Sequence, residues 1–218
     1  MYNITIIFSM HLEIGRCNSK ELHSIIESEK PEIIFEEFDI SRTNDEYYKN
    51  GHYKKNESTL ETKAIMNFLE HNAIKHIPVD TYDFIDPPRT MYKIISETNC
   101  EYNDLFRKNI LMAGEQGFSY LNSIECSDLF ERMHSIEKDV VEKLNDRILF
   151  KEYTSWQLNM NNRDKQMLEN IYEYSKNNCF NNALFLVGAE HKKSILNKIN
   201  EYIVKDEFKI KWKSWRIA

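Results

Sequence analysis

An unbroken apolar run falls at Ala183–Val187, and largely apolar runs fall at Ile4–Phe8 (ITIIF), within Glu32–Phe38 (EIIFEEF) and at His76–Val79. Each has the length and content of a strand buried on both faces. The run Phe208–Trp215 (FKIKWKSW) alternates strictly instead, which predicts a final strand at a sheet edge with its lysines toward solvent. Between the strands the period changes. Asn18 followed by Glu21 has capping-box spacing ahead of Leu22, Ile25 and Ile26, and Pro31 stops that helix. Ser58 with Glu61 repeats the spacing ahead of Leu60, Ala64, Ile65, Phe68 and Leu69. Two β–α–β crossovers are thus complete before residue 81, and they predict right-handed, parallel neighbouring strands.

From residue 87 to 178 no strand pattern occurs. Apolar positions recur at helical spacing: Met91, Ile94, Ile95; Leu129, Phe130, Met133, Ile136, Val140; Met167, Ile171, Tyr174. Asn161-Asn162-Arg163-Asp164 reads as a helix break and a fresh start, with Arg163 in the new first turn. The prediction is an α/β fold: a mainly parallel central sheet flanked by helices, with a large all-helical insertion (about 87–178) between the third and fourth core strands. One domain, 1–218, accounts for the chain. At 218 residues, 41% hydrophobic and 29% charged, it can bury one sizeable core.

A net charge of -6 argues against a nucleic-acid footprint, which normally shows as a basic stripe. No apolar stretch is long enough to cross a bilayer. The opening MYNITIIFSM lacks the features of a signal peptide, so a cytoplasmic protein is expected. Cys17, Cys100, Cys126 and Cys179 are scattered, which predicts reduced thiols and excludes a zinc ribbon.

Candidate chemistry lies where the strands end. His11 follows the first strand, with Glu13 beyond it. Glu36, Glu37 and Asp39 close the second, Asp80 ends the third, and Glu190 and His191 follow the fourth. In a parallel sheet these carboxyl ends open on one edge, the usual ligand side of an α/β fold. Two imidazoles with carboxylates form a donor set suited to a divalent metal such as Mn, Co, Fe or Zn, which would yield a hydroxide nucleophile near neutral pH. Plainer roles exist for each residue. His11 can be a loop residue, Glu61 a helix cap, and Glu36/Glu37 a solvated strand end. Strand alternation points Glu36 and Glu37 to opposite faces, so one of them at most faces a given ligand. Gly188 is expected to permit a bend that a Cβ would resist.

Several motifs together resemble the TraB/TIKI family, within the wider erythromycin-esterase and ChaN-like group. They are FSMH (Phe8–His11), PEIIFEE (Pro31–Glu37), RDKQM (Arg163–Met167) and LFLVGAEH (Leu184–His191). ETKA (Glu61–Ala64) and IPVD (Ile77–Asp80) are similar to ChaN-like and erythromycin-esterase segments. The late GxxH is the most specific, and Phe8 stands where the first GxxH would carry glycine. The resemblance implies a mixed α/β sheet with a helical insertion and, in different branches, metal-dependent peptidase activity, lactone hydrolysis or haem binding. It makes His11 and His191 the paired histidines, Glu37 their acidic partner, and Arg163 a group steadying a carboxylate or a transition-state oxyanion.

The resulting expectation is a metal-dependent hydrolase, a peptidase or an ester/lactone hydrolase, acting on a small-molecule or peptide substrate. His11, Glu37 and His191 would hold the ion, Glu36 or Glu190 would serve as general base, and Arg163 would orient substrate. Glu13, Asp39, Glu61 and Asp80 would line the pocket. Two other readings stay open. One is a haem or iron carrier using Tyr47, Tyr48, His52 and Tyr53; the other is a binding or immunity-type protein that keeps the fold without the chemistry, which the missing first glycine favours.

Overall fold

The computed structural model describes residues 2–39, 59–81, 84–205 and 210–215. Five strands form one sheet: β1 (Tyr2–Ser9), β2 (Ile33–Asp39), β3 (Lys75–Asp80), β4 (Asn182–Gly188) and β5 (Ile210–Ser214). Their order is β3-β2-β4-β1-β5, and every pairing is parallel. The fold is α/β, as the alternation of strand and helix patterns predicts. The lysine-bearing strand β5 lies at the edge.

One expectation about the sheet needs correction. β1 and β2 are joined by a crossover but are not neighbours. β4 lies between them, with Ser9 opposite Gly188 on one side and Glu36 opposite Leu186 on the other. A crossover helix fixes strand direction but does not fix adjacency. The centre goes to the strand that can lose all its polar exposure, and Ala183–Val187 is buried throughout.

Helix α1 (Ser19–Glu29) starts where the capping pattern places it, with the Asn18 side chain accepting from the Glu21 N–H, and ends at Lys30 in a left-handed conformation. Helix α2 (Leu60–Leu69) is capped by Thr59, whose hydroxyl accepts from the Thr62 N–H. Glu61 is therefore not needed as a cap partner, and its carboxylate turns toward β1.

Between β3 and β4 come α3 (Arg89–Thr98), α4 (Cys100–Gln116), the short α5 (Phe118–Leu121), α6 (Ile124–Leu144) and α7 (Arg147–Asn177). The expected break at Asn161-Asn162 does not occur. Helix α7 runs 31 residues without interruption, and Arg163 lies in its middle. No glycine or proline interrupts it, and Met167, Leu168 and Ile171 continue the buried stripe laid down by Tyr153 and Trp156. Asn161 turns out to Lys198 Nζ, which donates to its Oδ1 at 2.6 Å. The low helix propensity of two asparagines, a few tenths of a kcal/mol each, is outweighed by that packing.

A second apolar cluster, including Met91, Met133, Ile136, Leu149 and Trp156, holds these helices together. The Asn122 side chain joins them to the sheet. β5 pairs with β1 only as far as Ile6. Beyond it, Asn122 accepts from Phe8 N at 3.0 Å and donates to Phe8 O at 3.0 Å, in the manner of a neighbouring strand. A 3-10 turn, Ala189–His191, then leads from β4 into α8 (Lys192–Lys205). Among the described residues no helix is long and apolar enough to cross a membrane. The Tyr47, Tyr48, His52 and Tyr53 cluster falls outside the described residues.

Candidate functional site

Glu36 and Glu37 are consecutive on β2 and take different partners, as alternation requires. Glu36 meets His76 of the adjacent strand β3, with Oε1 2.9 Å from Nδ1. Glu37 faces the other side and is held on both oxygens. Its Oε1 accepts from Arg163 Nη2 at 2.9 Å and lies 3.1 Å from His191 Nε2, while its Oε2 accepts from the Gly188 N–H at 2.7 Å.

Arg163 reaches this point because the middle of α7 crosses the ends of β2 and β3. Its Nε and Nη2 form a fork on Asp80, with Nη2 donating to Oδ2 at 2.6 Å and Nε to Oδ1 at 3.1 Å. The Phe84 ring covers the guanidinium carbon at 5.0 Å. One residue on, Asp164 faces His191, with its Oδ1 2.5 Å from Nδ1. His191 thus stands between two carboxylates, and Glu37 between an imidazole and a guanidinium. All five side chains are buried, at 10% exposure or less.

Burial alone would push the Glu37 carboxyl up and the His191 imidazole down. The opposite holds for both. The His191 charge and its hydrogen bond, aided by the Gly188 N–H, keep Glu37 well below the usual carboxylate range. Glu37 and Asp164 raise His191 well above the ordinary histidine value. Burying ions costs several kcal/mol apiece even when they are paired, so a packed apolar cluster would serve stability as well. Strongly perturbed groups gathered at strand ends are candidates for chemistry.

Gly188 acts differently from expectation. Its φ of -57° suits any residue, so no unusual bend requires glycine there. A Cβ, however, would stand 3.2 Å from Glu37 Oε2. The missing side chain lets the carboxylate approach the backbone.

His11 is reached from β1. Glu61 accepts from Ser9 Oγ at 2.6 Å and lies 3.3 Å from His11 Nδ1. Its hydrogen bond to the imidazole lifts His11 to about 9, with the Glu61 and Glu37 charges adding to the rise. Ser9, His11, Glu36, Glu37, Glu61 and Gly188 line one small pocket of about 40 Å³.

The structure therefore brings His11, Glu37 and Glu61 together and joins His191, Arg163 and Asp80 to them through Glu37. Glu190 lies elsewhere, facing His134 across a larger cleft, with its Oε1 3.6 Å from His134 Nε2. Glu13 accepts from the Ser19 N–H and from Lys63 Nζ, so it is tied to the first turn of α1 and to α2. Asp39 ends β2 beside Asp80. Asp164 was absent from the sequence-based candidates. It did leave a signal: Asp164, Met167, Leu168 and Ile171 share one helical stripe, so its carboxylate interrupts an otherwise apolar face.

Imidazole and carboxylate are donor types that divalent ions take. Asp164 on Nδ1 is the carboxylate–imidazole arrangement that leaves Nε2 as the coordinating atom. His11, with Nδ1 on Glu61, has the same arrangement. Among the described residues, no three His, Cys, Asp or Glu side chains already enclose a common point at metal-binding spacing. His11, 59% exposed, has the freedom to turn.

No family model, no curated protein and no solved structure matches this chain.

Proposed function

We propose that the chain is a metal-dependent hydrolase of the TraB/TIKI kind, cleaving a peptide or an ester/lactone bond at the carboxyl ends of the strands. The observation that carries this reading is the position of Glu37, buried between His191 and Arg163 on the wall it shares with His11 and Glu61. His11, Glu37 and His191 are the residues that would hold Mn²⁺, Co²⁺, Fe²⁺ or Zn²⁺. Bound there, the ion supplies Lewis acidity and a water of lowered pKa.

The chain's own groups do the rest. Asp164 fixes the Nδ1 proton of His191 and thereby directs Nε2 toward Glu37. Glu61 does the same for His11, and Ser9 steadies Glu61. Among the carboxylates, Glu36 and Glu61 both line the small pocket with His11, and Glu61, which stands beside the His11 imidazole, is the one placed to exchange a proton with it. Glu36 is engaged by His76, and Glu190 faces the other cleft. Arg163, anchored on Asp80, supplies fixed positive charge for an oxyanion developing near Glu37.

A second reading, a binding or immunity-type protein on the same fold, draws support from the same contacts: both oxygens of Glu37 already have donors. One experiment separates the two. Metal-free protein is titrated with Mn²⁺, Co²⁺ and Zn²⁺ by calorimetry and assayed on peptide and ester panels, alongside His11→Ala and His191→Ala. The hydrolase reading expects tight binding and turnover in the parent chain, with both lost in the variants while circular dichroism stays unchanged. Equal affinity in parent and variants, or no turnover with any metal, rejects it.

A further inference from the structure

A second buried carboxylate lies away from the strand ends, within the helices. Glu137 of α6 is 1% exposed. Its Oε1 accepts from Tyr102 Oη at 2.8 Å, and its Oε2 lies 2.9 Å from His134 Nδ1, one helical turn back. A buried carboxylate needs such partners, since an unpaired one would be strongly destabilising. The consequence for His134 is orientation: with Nδ1 committed to Glu137, Nε2 is directed outward.

What Nε2 faces is a cleft of about 540 Å³ between α6, α7 and the start of α8. Phe130 stacks on the His134 ring at 6.5 Å between centroids, and Trp156 lies 6.4 Å away on another side. Met160 and Gln157 continue the wall. The cleft is large enough for a drug-sized molecule. Its wall residues are mostly polar and charged, with Glu131, Asp164, Glu190 and Glu201 as well as Lys192, Lys193 and Lys198 around the Phe130 and Met160 side chains. The protein already presents a carboxylate to this donor. Glu190 Oε1 stands 3.6 Å from Nε2, beyond hydrogen-bond length, on a side chain 37% exposed and therefore able to swing aside. Glu137 also raises the basicity of His134 against the opposing effect of burial.

We propose that this cleft binds a small aromatic carboxylic acid, its ring against the half-buried Phe130 and Met160 and its carboxylate accepting from His134 Nε2 in the place Glu190 now approaches. The site lies on the Asp164 side of His191, opposite Glu37, and it does not depend on the hydrolase reading. The other cations of the wall are engaged within the protein, Lys192 by the Ser123 carbonyl, Lys193 by Glu131, Lys198 by Asn161 and Ser194, and His191 by Glu37 and Asp164, so carboxylate specificity follows from the His134 donor held in one direction by a buried acid. Ring specificity follows from the Phe130 face.

The test is calorimetric titration of the full chain with indole-3-acetate and with indole-3-acetamide, its neutral counterpart of the same shape. The expected result is saturable binding of the acid at least about tenfold tighter than the amide. His134→Gln should erase that difference while leaving amide binding in place, and Phe130→Ala should weaken both ligands. Equal affinity for acid and amide, no binding of the acid into the millimolar range, or an undiminished preference in His134→Gln would each overturn the proposal. The acid–amide comparison in the parent chain decides the matter even if a variant fails to fold.

Discussion

Asp164 Oδ1 lies 2.5 Å from His191 Nδ1, joining the middle of α7 to the turn that follows β4. The contact fixes which imidazole nitrogen faces Glu37. Asp164→Asn should leave the fold intact, because an amide oxygen can still accept from Nδ1. It should nevertheless lower divalent-metal affinity ~10–100-fold, the usual loss when such a carboxylate is replaced. Calorimetry on metal-free protein measures this, and unchanged affinity would count against His191 as a ligand.

Arg163 is the common cation of Glu37 and Asp80. Arg163→Met leaves two buried carboxylates without it, and destabilisation of roughly 3–5 kcal/mol is expected in urea unfolding. Arg163→Lys keeps the charge and loses the fork, so it should fall between the parent and Met variants.

At Gly188 an added methyl meets a carboxylate already held by Arg163, His191 and a backbone N–H. Because Glu37 has little room to yield, Gly188→Ala should destabilise by about 1–3 kcal/mol, the common cost of overpacking. The backbone itself allows alanine at this φ. An alanine variant as stable as the parent would show that Glu37 can retreat.

His11 is expected to titrate near 9 in metal-free protein, because Glu61 favours its protonated form. Raised above its unfolded value, it adds stability that is complete below pH ~6.5 and fades as the pH passes about 9. Glu37 behaves oppositely: its depressed pKa adds stability above the ordinary carboxylate range, lost as the solution is acidified. Proton NMR of the His11 ring in Glu61→Gln should show its midpoint falling toward the ordinary histidine value. A midpoint that stays near 9 would remove Glu61 as the cause.

The strands were legible because each is a compact apolar run, and the position of β5 followed from its lysines. Their lateral order was not, since hydrophobic pattern carries no record of which buried strand lies beside which. At the site, alternation along β2 was enough to send Glu36 and Glu37 to different faces, and His76 and Arg163 now mark those faces. The continuity of α7 is hidden in the sequence because Asn161-Asn162 resembles a helix start when its neighbours in space are unknown; Lys198 on α8 is the neighbour that matters. Thr59 and Ser58 are chemically alike as caps, so the sequence could not choose between them. His134 and Glu137 lie three apart on an apolar stripe, a spacing that places them together but says nothing of the Tyr102 that completes their contacts.

The sheet order has a consequence for how the molecule assembles. During synthesis the first three strands emerge within 80 residues, yet β1 and β2 have no shared edge and must wait about a hundred more for the strand that fits between them. Until then each offers an unsatisfied ladder of backbone groups to any passing chain. Such distant closure slows folding, and the strand that fills the gap also leads straight into His191, so the pocket is finished in the same event that joins β1 to β2.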